Sequence, residues 1–127
     1  MPVQFLSEEW ATQLKERLNS SEAFRKGVGG TSAKIQQVIT TTDGERRYWM
    51  KTEDGRIDMG PGDVEAPDAT ISQDYDTAVG LARGEVNAVS AYLTGRIKIS
   101  GNLMLLMGLQ GALAELPIVM QEMDVDY

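Results

Sequence analysis

The sequence predicts an α+β fold, and three observations predict it. Apolar residues recur at helical spacing near both ends, they alternate with period two through the middle, and Asp43-Gly44 and Asp54-Gly55 punctuate the alternating runs. A chain of 127 residues with 42% hydrophobic content fits one domain over residues 1–127. At this length folding buries roughly two-thirds of the unfolded surface, so no disulfide or metal staple is needed.

Ser7 is placed to cap a first helix whose Trp10, Leu14 and Leu18 recur every fourth residue, with Lys15, Glu16 and Arg17 on the other faces. A short second helix is expected over Ser21 to Lys26, anchored by Phe24 and stopped by Gly27, Gly29 and Gly30. The period then changes to two. Ala33, Ile35, Gln37 and Ile39 share one side of a strand, Tyr48 and Met50 one side of a second, Ile57 and Met59 one side of a third. Asp-Gly links between them predict an antiparallel meander. Trp49 falls on the opposite face, beside Arg47 and Lys51, and covers the outer side of the sheet or an interface.

After Gly60-Pro61-Gly62 comes an acidic loop, then a short fourth strand over Asp68 to Ser72 with Ala69 and Ile71 on one face. Asp74 caps a helix carrying Ala78, Val79, Leu81 and Ala82 that stops near Gly84. Val86, Val89, Tyr92 and Leu93 suggest another short helix ended by Gly95, and Arg96 to Ser100 alternates as a fifth strand. From Leu103 to Leu116 apolar residues surround a final helix on nearly every side, with Pro117 closing it.

Composition excludes several chemistries. With no Cys and no His, a catalytic thiol, an imidazole acid or base, and most zinc or iron sites are absent. A net charge of −7 repels a phosphate backbone, so no nucleic-acid partner is expected. The start of the chain lacks a basic, apolar leader, the longest uncharged run, Ile99 to Ala114, is too short to span a bilayer, and no peroxisomal or lipidation tail ends it. A cytoplasmic protein without stable membrane insertion is expected.

Motif candidates reduce to structure. Gly27 to Lys34 lacks the Gly-Lys-Ser/Thr ending of a phosphate loop, and Asp63, Glu65 and Asp68 lack the spacing of a calcium hand. Gly108 and Gly111 offer a close helix approach, but at three-residue spacing they carry little weight. Glu8-Glu9 and Asp74/Asp76 sit at helix starts, where negative charge is favoured. No catalytic residue, metal ligand or cofactor site emerges. What stands out is the over-apolar last helix, with Met104, Met107, Met120 and Met123 in and after it. An unbranched thioether adapts to irregular apolar shapes.

Pro67-Asp68-Ala69-Thr70-Ile71-Ser72, Leu81-Ala82-Arg83-Gly84-Glu85 and Ala91-Tyr92-Leu93-Thr94-Gly95-Arg96-Ile97-Lys98-Ile99-Ser100-Gly101-Asn102-Leu103 resemble the sterol carrier protein 2 family, also called the SCP-2 sterol transfer family. The segment from Trp10 to Lys26 is similar to its stand-alone prokaryotic members. The resemblance implies a five-stranded mixed sheet covered on one face by helices, with an apolar tunnel between sheet and helices. It implies non-enzymatic binding and intracellular transfer of a fatty acid, fatty acyl-CoA, sterol or phospholipid chain. Candidate lining residues are Leu81, Val86, Val89, Leu93, Leu103, Met104, Leu106, Met107, Leu113 and Met120, with Tyr48, Met50, Ile57, Ile97 and Ile99 as floor or ordinary core. Arg83, Arg96 and Lys98 are rim cations, read first as solvated surface charge. The competing expectation is a ligand-free homodimerisation or protein-interaction module.

Overall fold

A computed structural model describes residues 2–127. Its elements in chain order are β1 (Val3–Gln4), α1 (Glu8–Asn19), α2 (Glu22–Val28), β2 (Ala33–Thr41), β3 (Gly44–Glu53), β4 (Arg56–Pro61), β5 (Ala69–Asp74), α3 (Tyr75–Ala82), α4 (Ala88–Leu93), β6 (Ile97–Gly101), α5 (Leu103–Gly108), α6 (Gln110–Leu113), α7 (Glu115–Gln121) and β7 (Val125–Asp126). Five strands form one mixed sheet in the order β4-β3-β2-β5-β6, in which β2 and β5 run parallel and the other neighbours antiparallel. The helices cover the face that carries Ile35, Met50, Met59 and Ala69, which lie across from one another in register.

The helix starts follow the capping chemistry of the sequence. Ser7, Ser21, Asp74 and Asn87 each accept from the backbone N–H three residues on, so a donor left over at each helix start is satisfied. Trp10, Leu14 and Leu18 of α1 are fully buried. The second hairpin places Asp54 and Gly55 at positive φ, as a two-residue turn twisting with its strands requires. In the first hairpin Thr41 pairs with Gly44, so the loop is Thr42-Asp43 and the glycine belongs to β3. The Thr41 hydroxyl closes that loop by accepting from the Asp43 N–H and donating to the Gly44 carbonyl.

Four details differ from the sequence expectation. Gly27 lies inside α2 rather than ending it, and Gly29 at φ +55° is the stop. A Cβ on Gly27 would stand 2.6 Å from the Ala112 nitrogen, and Gly111 faces Gly27, so these glycines let α2 and α6 pack backbone to backbone. The pairing of Gly111 with Gly27, not with Gly108, gives that residue its role. The long last helix is three short ones, α5, α6 and α7, and Pro117 sits in the first turn of α7, where its missing N–H has no helical partner to lose. Finally, β1 and β7 pair as a two-stranded parallel ribbon that no periodicity announced.

The outer face of the sheet has a different cover. Gln36 is buried there, its amide donating to the carbonyls of Tyr48 and Gly62 and accepting from the Val64 N–H, which folds the acidic loop over β2 and β3. Trp49 is half-buried on the same face, its ring against Gly60.

Candidate functional site

The helix layer is thickest over β4, β3 and β2. There Ile35, Tyr48, Met50, Ile57 and Met59 are all buried. Over β5 and β6 the cover thins. Ile71 and Ile99, opposite each other on the same face, are only partly buried, while Ile97 is buried. The elements beside β6 are short: α4 leads into the strand and α5 leaves it. Gly101 at the exit of β6 has φ +95°, and a Cβ there would stand 2.5 Å from the Asp68 carbonyl. Only glycine admits both the backbone conformation and the approach of β5.

Three of the ten candidate lining residues, Leu81, Val86 and Leu113, are partly buried, and Leu106 and Met120 are buried. The other five face solvent: Val89 and Leu93 on α4, and Leu103, Met104 and Met107 on α5. Leu93 is 76% exposed and Met104 75%, values unusual for such side chains in a molecule this size. The fourteen-residue apolar run thus divides: Leu105, Leu106, Leu109, Ala112 and Leu116 pack inward, while Leu103, Met104 and Met107 form an uncovered face.

Two open grooves lie elsewhere. One of about 470 Å³ is bounded by Glu16, Arg17, Ser20, Ser21, Glu115, Ile118, Val119 and Glu122. Another of about 450 Å³ runs between α3 and Tyr127, with Arg83 and Arg96 on its wall and Val86 as its single candidate lining residue. Arg83 stacks over the Tyr127 ring at 4.9 Å, so this rim cation is held by an aromatic face. Lys98 and Arg96 are exposed.

The interior also holds polar groups. Gln37, on the helix-facing side of β2, accepts from the Gln73 amide at 3.2 Å and points its own amide at the Met50 sulfur. Thr77 of α3 is completely buried above them, its N–H held by the Asp74 carboxylate at 2.7 Å. Hydrogen bonding from Thr77, by its side chain first and its backbone N–H second, stabilises the ionised carboxylate and holds the Asp74 pKa below its ordinary value. Burial pushes the Tyr48 phenol upward, so it stays neutral. Gln73 and Thr77 were not singled out by sequence reasoning. Continuing the Ala69-Ile71 alternation by one step would have placed Gln73 on the covered face.

Among the described residues, no group of three acidic, His or Cys side chains is arranged to hold a metal ion, and no helix is long and apolar enough to cross a membrane. Asp68, a member of the acidic loop, accepts from the Lys34 N–H at 2.8 Å and ties that loop to β2.

The family model of the SCP-2 sterol transfer family matches residues 10–114. The chain belongs to this family. The family comprises lipid-binding and lipid-transfer domains. Within it, the chain is 30% identical over 98 residues to the peroxisomal multifunctional enzyme A of Dictyostelium discoideum, covering 67% of this chain and 22% of that protein. The chain therefore spans about a fifth of the length of that curated relative. A crystal structure of sterol carrier protein 2 superimposes with a TM-score of 0.80 at 22% identity, covering 94% of this chain and 98% of the other. A solution structure of a conserved hypothetical protein from Thermus thermophilus gives 0.78 at 21% identity, with 96% and 91% covered. At these identities the two structures show the shared SCP-2 fold, including the five-stranded mixed sheet.

Proposed function

We propose that this SCP-2 domain is a non-enzymatic carrier that holds the hydrocarbon part of a lipid between the β5–β6 half of the sheet and the cover formed by α4 and α5. The observation that carries this reading is the uneven cover. Ile71 and Ile99 lack a full lid, and the helices that precede and follow β6 in the chain turn Val89, Leu93, Met104 and Met107 to solvent. Apolar side chains exposed around a thinly covered apolar floor offer a hydrocarbon chain a surface to bury. A chain of about sixteen methylenes buried at about 0.8 kcal/mol each gives a gross term near 13 kcal/mol, which exceeds the several kcal/mol that association costs. No charged motif is required for binding of that size. Met104 and Met107, unbranched and soft, suit a surface that must close on chains of variable shape.

The test is native mass spectrometry of the protein purified from its own cells, paired with uptake of a fluorescent fatty-acid probe. Bound lipid mass and saturable uptake are expected. A lipid-free protein that takes up no probe would end the carrier reading. The same exposed residues support the second reading, a homodimer that covers them, and sedimentation equilibrium separates the two because the carrier stays monomeric as it loads.

A further inference from the structure

Six of the seven exposed large hydrophobic side chains among the described residues lie between Val86 and Ala114: Val89, Tyr92 and Leu93 on α4, and Leu103, Met104 and Met107 on α5. The seventh, Ile118, borders the groove that Glu16, Glu115 and Glu122 share. None of the nineteen carboxylates of the chain falls in the stretch from Val86 to Ala114, whose charges are Arg96 and Lys98. In space the exposed groups bracket one strand. α4 packs against β6 and runs into its start, and α5 leaves its end, so they flank an edge strand about 13 Å long. Lys98 points to the other face of the sheet from Ile97 and Ile99, so apolar groups and a cation lie to either side of the same edge.

Carboxylates from neighbouring elements do not reverse that charge. Asp68, beside the end of β6, accepts from the Lys34 N–H, and Asp74 accepts from the Thr77 N–H. Arg96 shares its groove with Arg83, Asp76 and Glu85, an even balance. Lys98 forms no ion pair among the described residues. α1, the other amphipathic helix, has no comparable surface: its apolar stripe is buried and its exposed side carries Glu8, Glu9 and Glu16.

We propose that the α4–β6–α5 edge is a docking surface for an anionic lipid bilayer, reached reversibly, with the sheet meeting the membrane edge-on. This goes beyond the carrier reading and does not require it. Exposed apolar side chains enter the boundary between headgroups and acyl chains, while Lys and Arg stay at headgroup level. An anionic leaflet attracts the two cations and repels the acidic remainder of the chain, which selects this edge over every other. A second copy fits the same edge poorly. Two-fold pairing along β6 would bring the Arg96 and Lys98 of each copy toward those of the other, and a lysine on an edge strand is a common guard against strand pairing.

The experiment is cosedimentation with vesicles of phosphatidylcholine alone and of phosphatidylcholine with an equal part of phosphatidylglycerol. Binding is expected to the anionic vesicles and to be weaker for the neutral ones. Leu93→Gln with Met104→Gln should abolish it at an unchanged unfolding midpoint, because both side chains are already in solvent. Arg96→Gln with Lys98→Gln should weaken it about thirty-fold, the loss of two cations each worth about a factor of five. Arg25→Gln with Lys51→Gln, which removes the same charge from exposed positions elsewhere, should leave it within about two-fold. Protein that ignores anionic vesicles, binding that survives the Leu93 and Met104 changes, or an equal loss in the Arg25 and Lys51 control overturns the docking edge. So does sedimentation equilibrium in which those same two changes dissociate a dimer. Protein that takes up the fluorescent fatty-acid probe but ignores vesicles keeps the carrier reading and loses the edge; the converse keeps the edge and ends the carrier reading.

Discussion

Over β4 and β3 the sheet lies beneath α1, twelve residues long, whose Trp10, Leu14 and Leu18 are wholly buried and whose Trp10 meets Phe5 and Tyr48 edge to face. Across β5 and β6 the sheet meets α3, eight residues long, and α4, six residues long, while the six-residue α5 follows β6; α4 and α5 contribute Ala91 and Leu106 as their buried side chains. The charge changes as well. From Val86 to Ala114 there is no carboxylate, and Arg96 and Lys98 are the only charges, in a chain whose net charge is −7. On the carrier reading proposed above, the contrast keeps stability and the lipid site apart. A closed, close-packed half fixes the fold, and an open half is left with little packing to lose when it moves.

That division can be broken by substitution. Leu14→Ala removes a fully buried side chain from the close-packed half and should cost about 2–5 kcal/mol, a large part of the stability of a domain this size, read as a lower midpoint in denaturant unfolding. Gly27→Ala sets a methyl group against the Ala112 backbone and should separate α2 from α6, costing about 1–3 kcal/mol even though alanine is the better helix former. The smallest effect belongs to the open half. Met104→Gln with Met107→Gln should leave stability within about 0.5 kcal/mol, since both side chains are already in water, yet should weaken uptake of the fluorescent fatty-acid probe. Loss of probe binding without loss of stability is the sharpest form of the contrast. A double variant that unfolds early would show that α5 supports the core and the division would not hold.

The closed half was legible in the sequence because its signals are local. Caps at Ser7, Ser21 and Asp74, the four-residue spacing of Trp10, Leu14 and Leu18, and the Asp54-Gly55 turn each act over a few residues, and tertiary packing agrees with them. The last apolar segment was read correctly as over-apolar and wrongly as one helix. Hydrophobicity without a single stripe gives no period from which to find a break, and Leu109 and Ala114, where the helices change, carry no capping side chain to mark it. The role of Gly27 was hidden for a related reason: its neighbour Gly111 is 84 residues away in sequence and beside it in space. Likewise Gln73 and Thr77 look like ordinary strand and helix residues until the fold encloses them.

The ribbon of β1 and β7 joins the third residue to the 125th through the Val3–Val125 and Gln4–Asp126 pairs. During synthesis the first strand therefore waits for nearly the whole chain before it finds its partner, whereas every pairing in the main sheet is available earlier. Phe5 follows that strand into the cluster with Trp10, Tyr75 and Tyr127, so the aromatic corner is completed by the same late event. The clasp makes the order of assembly directional: a chain cut short before Val125 can build the sheet but has nothing with which to fasten its own beginning.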